Sequence, residues 1–165
     1  MYTIDIMYIK CYYYFKTKKE EDNKMLNTIN ATEIRNNWSS VVDTVIRDKP
    51  AFIKRTRDKL FLSNIDVLKA LLDAYKFTAT QYIEDDGSIT LSLDAIDLAE
   101  NAPTEKEAIK RLSESILDYA VDYYNDFSYW NRGNRESHIP YILKALILSD
   151  PKVIGGQLEC RHGRI

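Results

Sequence analysis

The chain of 165 residues holds only two cysteines, two histidines, five glycines and four prolines. Each shortage excludes something. Cys11 and Cys160 sit near opposite ends and make no disulfide framework; they fit free thiols in a reducing cytosol, so a cytoplasmic location is expected. The Gly and Pro content is too low for a collagen-like or low-complexity chain. No apolar run approaches the ~20 residues needed to span a bilayer, so no membrane partner is expected. The first fifteen residues are apolar and aromatic but carry Asp5 and Lys10. They lack a basic start and a small-residue cleavage site, and do not read as a secretory signal. His162 follows Cys160 by two, and Cys-x-His alone is not a sufficient metal site. Glycine-rich phosphate loops and a nucleophile elbow are absent. Asp85-Asp86 precedes Gly87, which is turn chemistry and not a catalytic pair. No enzyme, cofactor or metal is expected.

What is present fits a soluble globular protein: 45% hydrophobic residues, 29% charged, net charge −2. That small total is a cancellation. Net charge is +1 over 1–24, +2 over 25–75, −8 over 76–130 and +3 over 131–165. An acidic middle between mildly basic pieces suggests separate jobs for separate segments.

Residues 1–24 hold five of the twelve tyrosines and then a charged run, and the regular pattern begins at Met25. Two readings stand: an extension upstream of a true start at Met25, or an added Tyr-rich β-strand. Intact mass of the native protein decides between them. Residues 26–29 read as a strand. Over 30–48, Asn30 with Glu33 suggests a capping box, and Ile34, Trp38, Val41, Val42, Val45 and Ile46 form one helical stripe with Trp38 in the core. Pro50 ends it. Residues 51–55 and 60–63 flank Thr56–Lys59 as a hairpin. Asn64 caps a second helix bearing Ile65, Leu68, Leu71, Leu72 and Tyr75. This β-α-β-β-α unit is small for a single core, so dimerisation is expected.

A second module, 76–165, opens with a hairpin around Asp85-Asp86-Gly87. Thr104 and Glu107 then cap a long helix from 105 to about 127. Residues 130–137 read as a loop and 140–148 as a helix. Asp150-Pro151 stops it, and Gly155-Gly156 opens a flexible end. The expected class is α+β throughout.

Thr32-Glu33-Ile34-Arg35-Asn36-Asn37-Trp38, then Pro50-Ala51-Phe52-Ile53-Lys54-Arg55, then Asn64-Ile65-Asp66-Val67-Leu68 stand in order and spacing. Together they resemble the N-terminal domain of Phd/YefM-type antitoxins of type II toxin–antitoxin systems. Asp58 replaces a turn glycine, Leu60-Phe61 is bulkier than usual, and Leu68 replaces an aromatic. The resemblance implies a homodimer over 25–75 that binds operator DNA, and a C-terminal part that binds a toxin, often a small basic RelE-like ribonuclease. It carries DNA contact onto Arg35 and Arg55. Arginine offers a planar fork of donors for phosphate and guanine. Lys54, Arg57 and Lys59 add positive charge, and Thr32 with the free amides of the first turn suits a phosphate. Against this, Arg35 has Glu33 and Asp43 as possible ion-pair partners, and the hairpin cations would also keep an edge strand soluble. The acidic segment suits a basic partner. Tyr119, Tyr123, Tyr124, Tyr129 and Trp130 are either partner anchors or core. A stand-alone dimeric transcription regulator with a ligand- or partner-sensing C-terminal domain is the alternative, and an adaptor without a DNA role the third reading.

Overall fold

The structure, a computed structural model, describes residues 28–163. They divide into two compact units between Leu68 and Lys69, inside a helix, where the sequence reading divides the chain after Tyr75. The readings made for residues 1–24, and for residues 26 and 27 of the leading strand, lie outside the described residues.

The first unit begins with β1 (Thr28–Asn30), followed by α1 (Ala31–Asn36) and α2 (Trp38–Arg47). Two helices replace the single one expected over 30–48. The break is Asn37, at φ −126° and ψ 30°, whose side-chain amide donates to Glu33 O at 3.1 Å. A short polar side chain that bonds nearby carbonyls competes with helix continuation. Asn30 has the extended N-cap backbone, yet its side chain caps nothing, so the expected capping box is not formed. The hairpin follows as β2 (Ala51–Arg55) and β3 (Asp58–Leu62). Its turn is only Thr56-Arg57, because Asp58 already pairs with Arg55. Thr56 sits at φ 55°, an uncommon region for a β-branched residue. The three strands run in the order β1-β2-β3, β1 parallel to β2 and β3 antiparallel. Parallel neighbours need a crossover, which α1 and α2 supply. Asn64 caps α3 (Ile65–Leu72) as expected, accepting from Val67 N at 2.9 Å, and its amide donates to Ile46 O at 3.3 Å.

The core of this unit is thin. Ile34, Val45, Ala51 and Ile53 are its buried apolar residues among those described. Trp38 is 55% exposed, which corrects its place in the core: it lies on the stripe, but no second layer covers it among the described residues. Ile46, Leu60 and Ile65 are likewise exposed. On the sheet face opposite Ile53, Phe52 and Phe61 pair across strands with ring centroids 5.1 Å apart, both exposed.

The second unit is built on four strands: β4 (Phe77–Ile83), β5 (Ile89–Leu93), β6 (Ala99–Ala102) and β7 (Leu158–His162). Their order is β6-β5-β4-β7. The β4–β5 turn is the expected one: Gly87 takes φ 80°, and Asp86 accepts from Ser88 N at 2.9 Å. Hydrogen bonds from Ser88 hold the Asp86 carboxyl below its usual range, as suits a turn residue. The sequence reading has no strand where β6 forms, just before the Thr104 cap, and β7 replaces the expected flexible end, pairing in parallel with β4 from Phe77↔Leu158 to Gln81↔His162.

One face of this sheet, carrying Phe77, Ala79, Leu91 and Leu93, is buried in a single core with α4 (Glu105–Asn125). Thr104 caps α4, accepting from Glu107 N at 3.3 Å. Ala108, Leu112, Ile116, Ala120 and Tyr123 recur every three or four residues and face inward. Each large apolar side chain buried there contributes roughly 1.5–3 kcal/mol. The chain continues through α5 (Phe127–Trp130), a 3-10 turn (Gly133–His138), α6 (Ile139–Leu148) and α7 (Pro151–Gly155). The expected loop over 130–137 is thus mostly helical turns. A Cβ on Gly155 would lie 2.9 Å from Ser113 Oγ, so glycine lets α7 approach α4. On α6, Lys144 is 8% exposed and donates to Tyr75 O at 2.7 Å. Burial lowers its pKa, and Lys76 adds to that.

Candidate functional surfaces

Pairing of Asn30 with Lys54 brings the start of α1 to the end of the sheet where the hairpin turns. Thr32, Lys54, Arg55, Arg57 and Lys59 therefore belong to one end of the first unit. The pleat splits them. Arg55 shares the face of Ile53 with α1, while Lys54 and Lys59 face each other on the opposite face beside Phe52 and Phe61. Arg57 lies in the turn. Arg35 stands in the last turn of α1, not at its start, and is exposed. Lys54 is half-buried; Thr32, Arg55, Arg57 and Lys59 are exposed. Two like charges directly opposite on a strand pair are unfavourable. No ion pair with a described carboxylate relieves Arg35, Lys54, Arg55, Arg57 or Lys59, and the competing bridges from Arg35 to Glu33 or Asp43 are not made. This end of the unit has unspent positive charge.

In the second unit the five aromatic candidates separate by burial. Tyr123 is fully buried and donates toward Asn131 Oδ1 (3.0 Å) and Arg135 O (2.9 Å). Tyr119 and Trp130 are half-buried. The Tyr119 hydroxyl meets His138 Nδ1 at 2.9 Å, its ring lies edge-on to Trp130 at 5.5 Å, and Arg135 sits 4.8 Å over Trp130. Burial raises both tyrosine pKa values and lowers that of His138, with Asp97 pulling the imidazole back up and Arg135 pushing it down. These three aromatics pin α5 and the 3-10 turn onto α4. Tyr123 in particular has no surface with which to anchor a partner, because it continues the inward row of Ile116 and Ala120. Tyr124 and Tyr129 are 58% and 57% exposed and are free to meet one.

A cavity of about 180 Å³ in this unit is lined by Ile96, Asp97, Tyr119, Trp130, Arg135 and His138. An open groove of about 780 Å³ between α4 and α7 mixes Lys106, Lys110 and Lys152 with Glu107, Glu114 and Asp150, so it favours neither sign of charge. Cys160 is held in β7 and not in a loose tail. Burial, with Glu105 nearby, raises its thiol pKa, the opposite of an activated nucleophile. Among the described residues no three His, Cys, Asp or Glu side chains form a metal-sized group, and no helix is long and apolar enough to cross a membrane.

Residues 25–159 match a family model described as PHD-like, antitoxin of toxin–antitoxin, RelE/RelB, TA system. Among solved structures, the chain is similar to an antitoxin part of a putative toxin/antitoxin system from Syntrophomonas wolfei subsp. wolfei. Identity is 43% and the TM-score 0.78, over 82% of this chain and 99% of that one. No curated protein matches.

Proposed function

From a chain that belongs to the PHD-like antitoxin family of RelE/RelB toxin–antitoxin systems, we propose a protein with two jobs. The module of residues 76–165 neutralises a cognate toxin, a RelE-like ribonuclease, by direct contact. The domain of residues 25–75, in a Phd/YefM-like arrangement, pairs with a second copy and represses its own operon by binding operator DNA. The observation that carries the DNA half is the basic end of the first unit. Arg35, Arg55, Arg57, Lys54 and Lys59 have no carboxylate partner among the described residues. Exposed, unneutralised cations release counterions on meeting phosphate, which drives DNA association. The thin core and exposed Phe52, Phe61 and Trp38 support pairing with a second copy, since so small a unit gains its missing layer that way. Tyr124 and Tyr129 remain the exposed aromatic anchors for the toxin. The protein acts by binding; no cofactor enters the reading.

Gel-shift titration against the operon's own promoter tests the DNA half. Arg35→Ala and Arg55→Ala are each expected to cost about 1–3 kcal/mol, with relaxed specificity for a base contact or a shallower salt slope for a phosphate contact. Unchanged binding by the double variant would remove the assignment.

A further inference from the structure

The outward side of α4 changes character along its length. In its first half opposite charges pair: Arg111 lies 3.5 Å from Glu107, and Lys110 4.0 Å from Glu114. From Leu112 to Asn131 there is no lysine or arginine. Glu114, Asp118, Asp122 and Asp126 follow one another at four-residue steps and form an acidic ridge. Beside it runs an apolar ridge of Leu117, Val121 and Tyr124, prolonged by Phe127 and Tyr129; of these Val121, Tyr124, Phe127 and Tyr129 are exposed.

This arrangement opposes local stability twice. Like charges four residues apart repel. Asp122 in the last turn and Asp126 at the C-cap also face the negative end of the helix dipole, and no basic residue occupies that turn. Among the described residues no cation pairs with Asp118, Asp122 or Asp126. The next basic residues along the chain are engaged elsewhere, Arg132 Nε with Ser128 O at 2.8 Å and Arg135 over Trp130. Places where a sequence breaks local rules without compensation are where function is found.

We propose that the C-terminal half of α4, with Tyr129, is the toxin-docking surface. Its occupant is a protein groove with an apolar floor for Val121, Tyr124 and Tyr129 and a lysine- or arginine-rich rim for Asp118, Asp122 and Asp126. The ridge repels phosphates, which excludes nucleic acid and anionic lipid as occupants. A basic rim supplies the charge that the helix end lacks, so binding and helix stabilisation coincide. This rests on the antitoxin reading above and assigns its contact surface.

The test uses the full chain, its Asp118→Asn/Asp122→Asn variant, and a charge-matched control, Asp85→Asn/Glu159→Gln, altered outside α4. The probe is the purified product of the reading frame adjacent to this gene. The ridge variant is expected to bind the probe about tenfold or more weakly, with a shallower salt dependence, while the control binds like the wild-type chain. With no probe present it is expected to melt about 2 °C or more higher, because the repulsion is gone. A wild-type chain that binds no probe would remove the antitoxin reading for that pair and this proposal with it. Tight binding that ignores the ridge variant would overturn the proposal and leave the reading standing. A lowered melting temperature would overturn it too, since the carboxylates would then be structural. Self-association of the wild-type chain that the ridge variant abolishes would also overturn it, naming a second copy as the occupant.

Discussion

The two units bury their apolar residues very differently. Up to Leu68 only Ile34, Val45, Ala51 and Ile53 are buried among the described residues, whereas beyond it fourteen residues from Phe77 to Ile154 form one continuous core. Among the described residues, the first unit keeps Trp38, Phe52 and Phe61 exposed; the second turns Phe77 and Tyr123 inward. The difference lies in layering. In the second unit a 21-residue helix lies across a four-stranded sheet, and its row of Ala108, Leu112, Ile116 and Ala120 supplies a full second layer. In the first, among the described residues, a three-stranded sheet receives helices of six and ten residues, too little to cover both faces. A self-sufficient unit tolerates isolation; a thin one gains stability from company.

Core truncation is expected to have the largest effect. Leu112→Ala, at a fully buried site, is expected to destabilise the second unit by about 2–5 kcal/mol. Urea titration followed by Trp130 fluorescence in a Trp38→Phe background reads that unit alone. A loss well under 1 kcal/mol would break the contrast. Next is Phe52→Ser with Phe61→Ser. It removes an exposed pair whose covering by a second copy would contribute roughly 1.5–3 kcal/mol per ring. Sedimentation is expected to show a lighter species with the second unit's melting unchanged. A variant that stays dimeric would place the contact elsewhere, with Trp38 as the next site to alter. The smallest effect concerns pH. Burial lowers the His138 pKa in the folded state, so the unfolded chain binds the proton more readily. Stability of the second unit is therefore full above the ordinary histidine range (~6.5) and falls as pH drops through it toward the folded value. The carboxylates aside, His138→Gln is expected to flatten that slope as pH falls below the ordinary histidine range. An unaltered slope would show that the imidazole is not the sensor.

Much of this fold was legible in the residues, where local chemistry decides. Asp86-Gly87, Asn64 and Thr104 each mark a turn or cap that the chain makes, because the bonds involved span two or three residues. The misreadings share a different cause. Strand β6, Ala-Glu-Asn-Ala, has poor intrinsic strand character and exists through its pairing with β5. Strand β7 follows Gly155-Gly156 and looks like a tail, yet its partner lies far away in sequence. Trp38 carries the right period for a core residue, but period says which face is apolar and not whether anything covers it. Tyr123 and Tyr124 are neighbours in an aromatic-rich stretch and point in opposite senses, one buried and one exposed. The basic end was legible as a list of cations; its division between two faces of the sheet needed the register.

The pairing of β7 with β4 has a consequence in time. Phe77 meets Leu158 only after about eighty intervening residues have been made. At ~5–20 residues per second, β4 and β5 leave the ribosome several seconds before β7. During that interval β4 has an open edge beside an unfinished core, and such edges invite wrong partners. The second unit is thus completed from its far end, after the first unit has been synthesised. A nonsense change at Gly156 would leave the fourteen buried core residues in place and still leave the sheet one strand short.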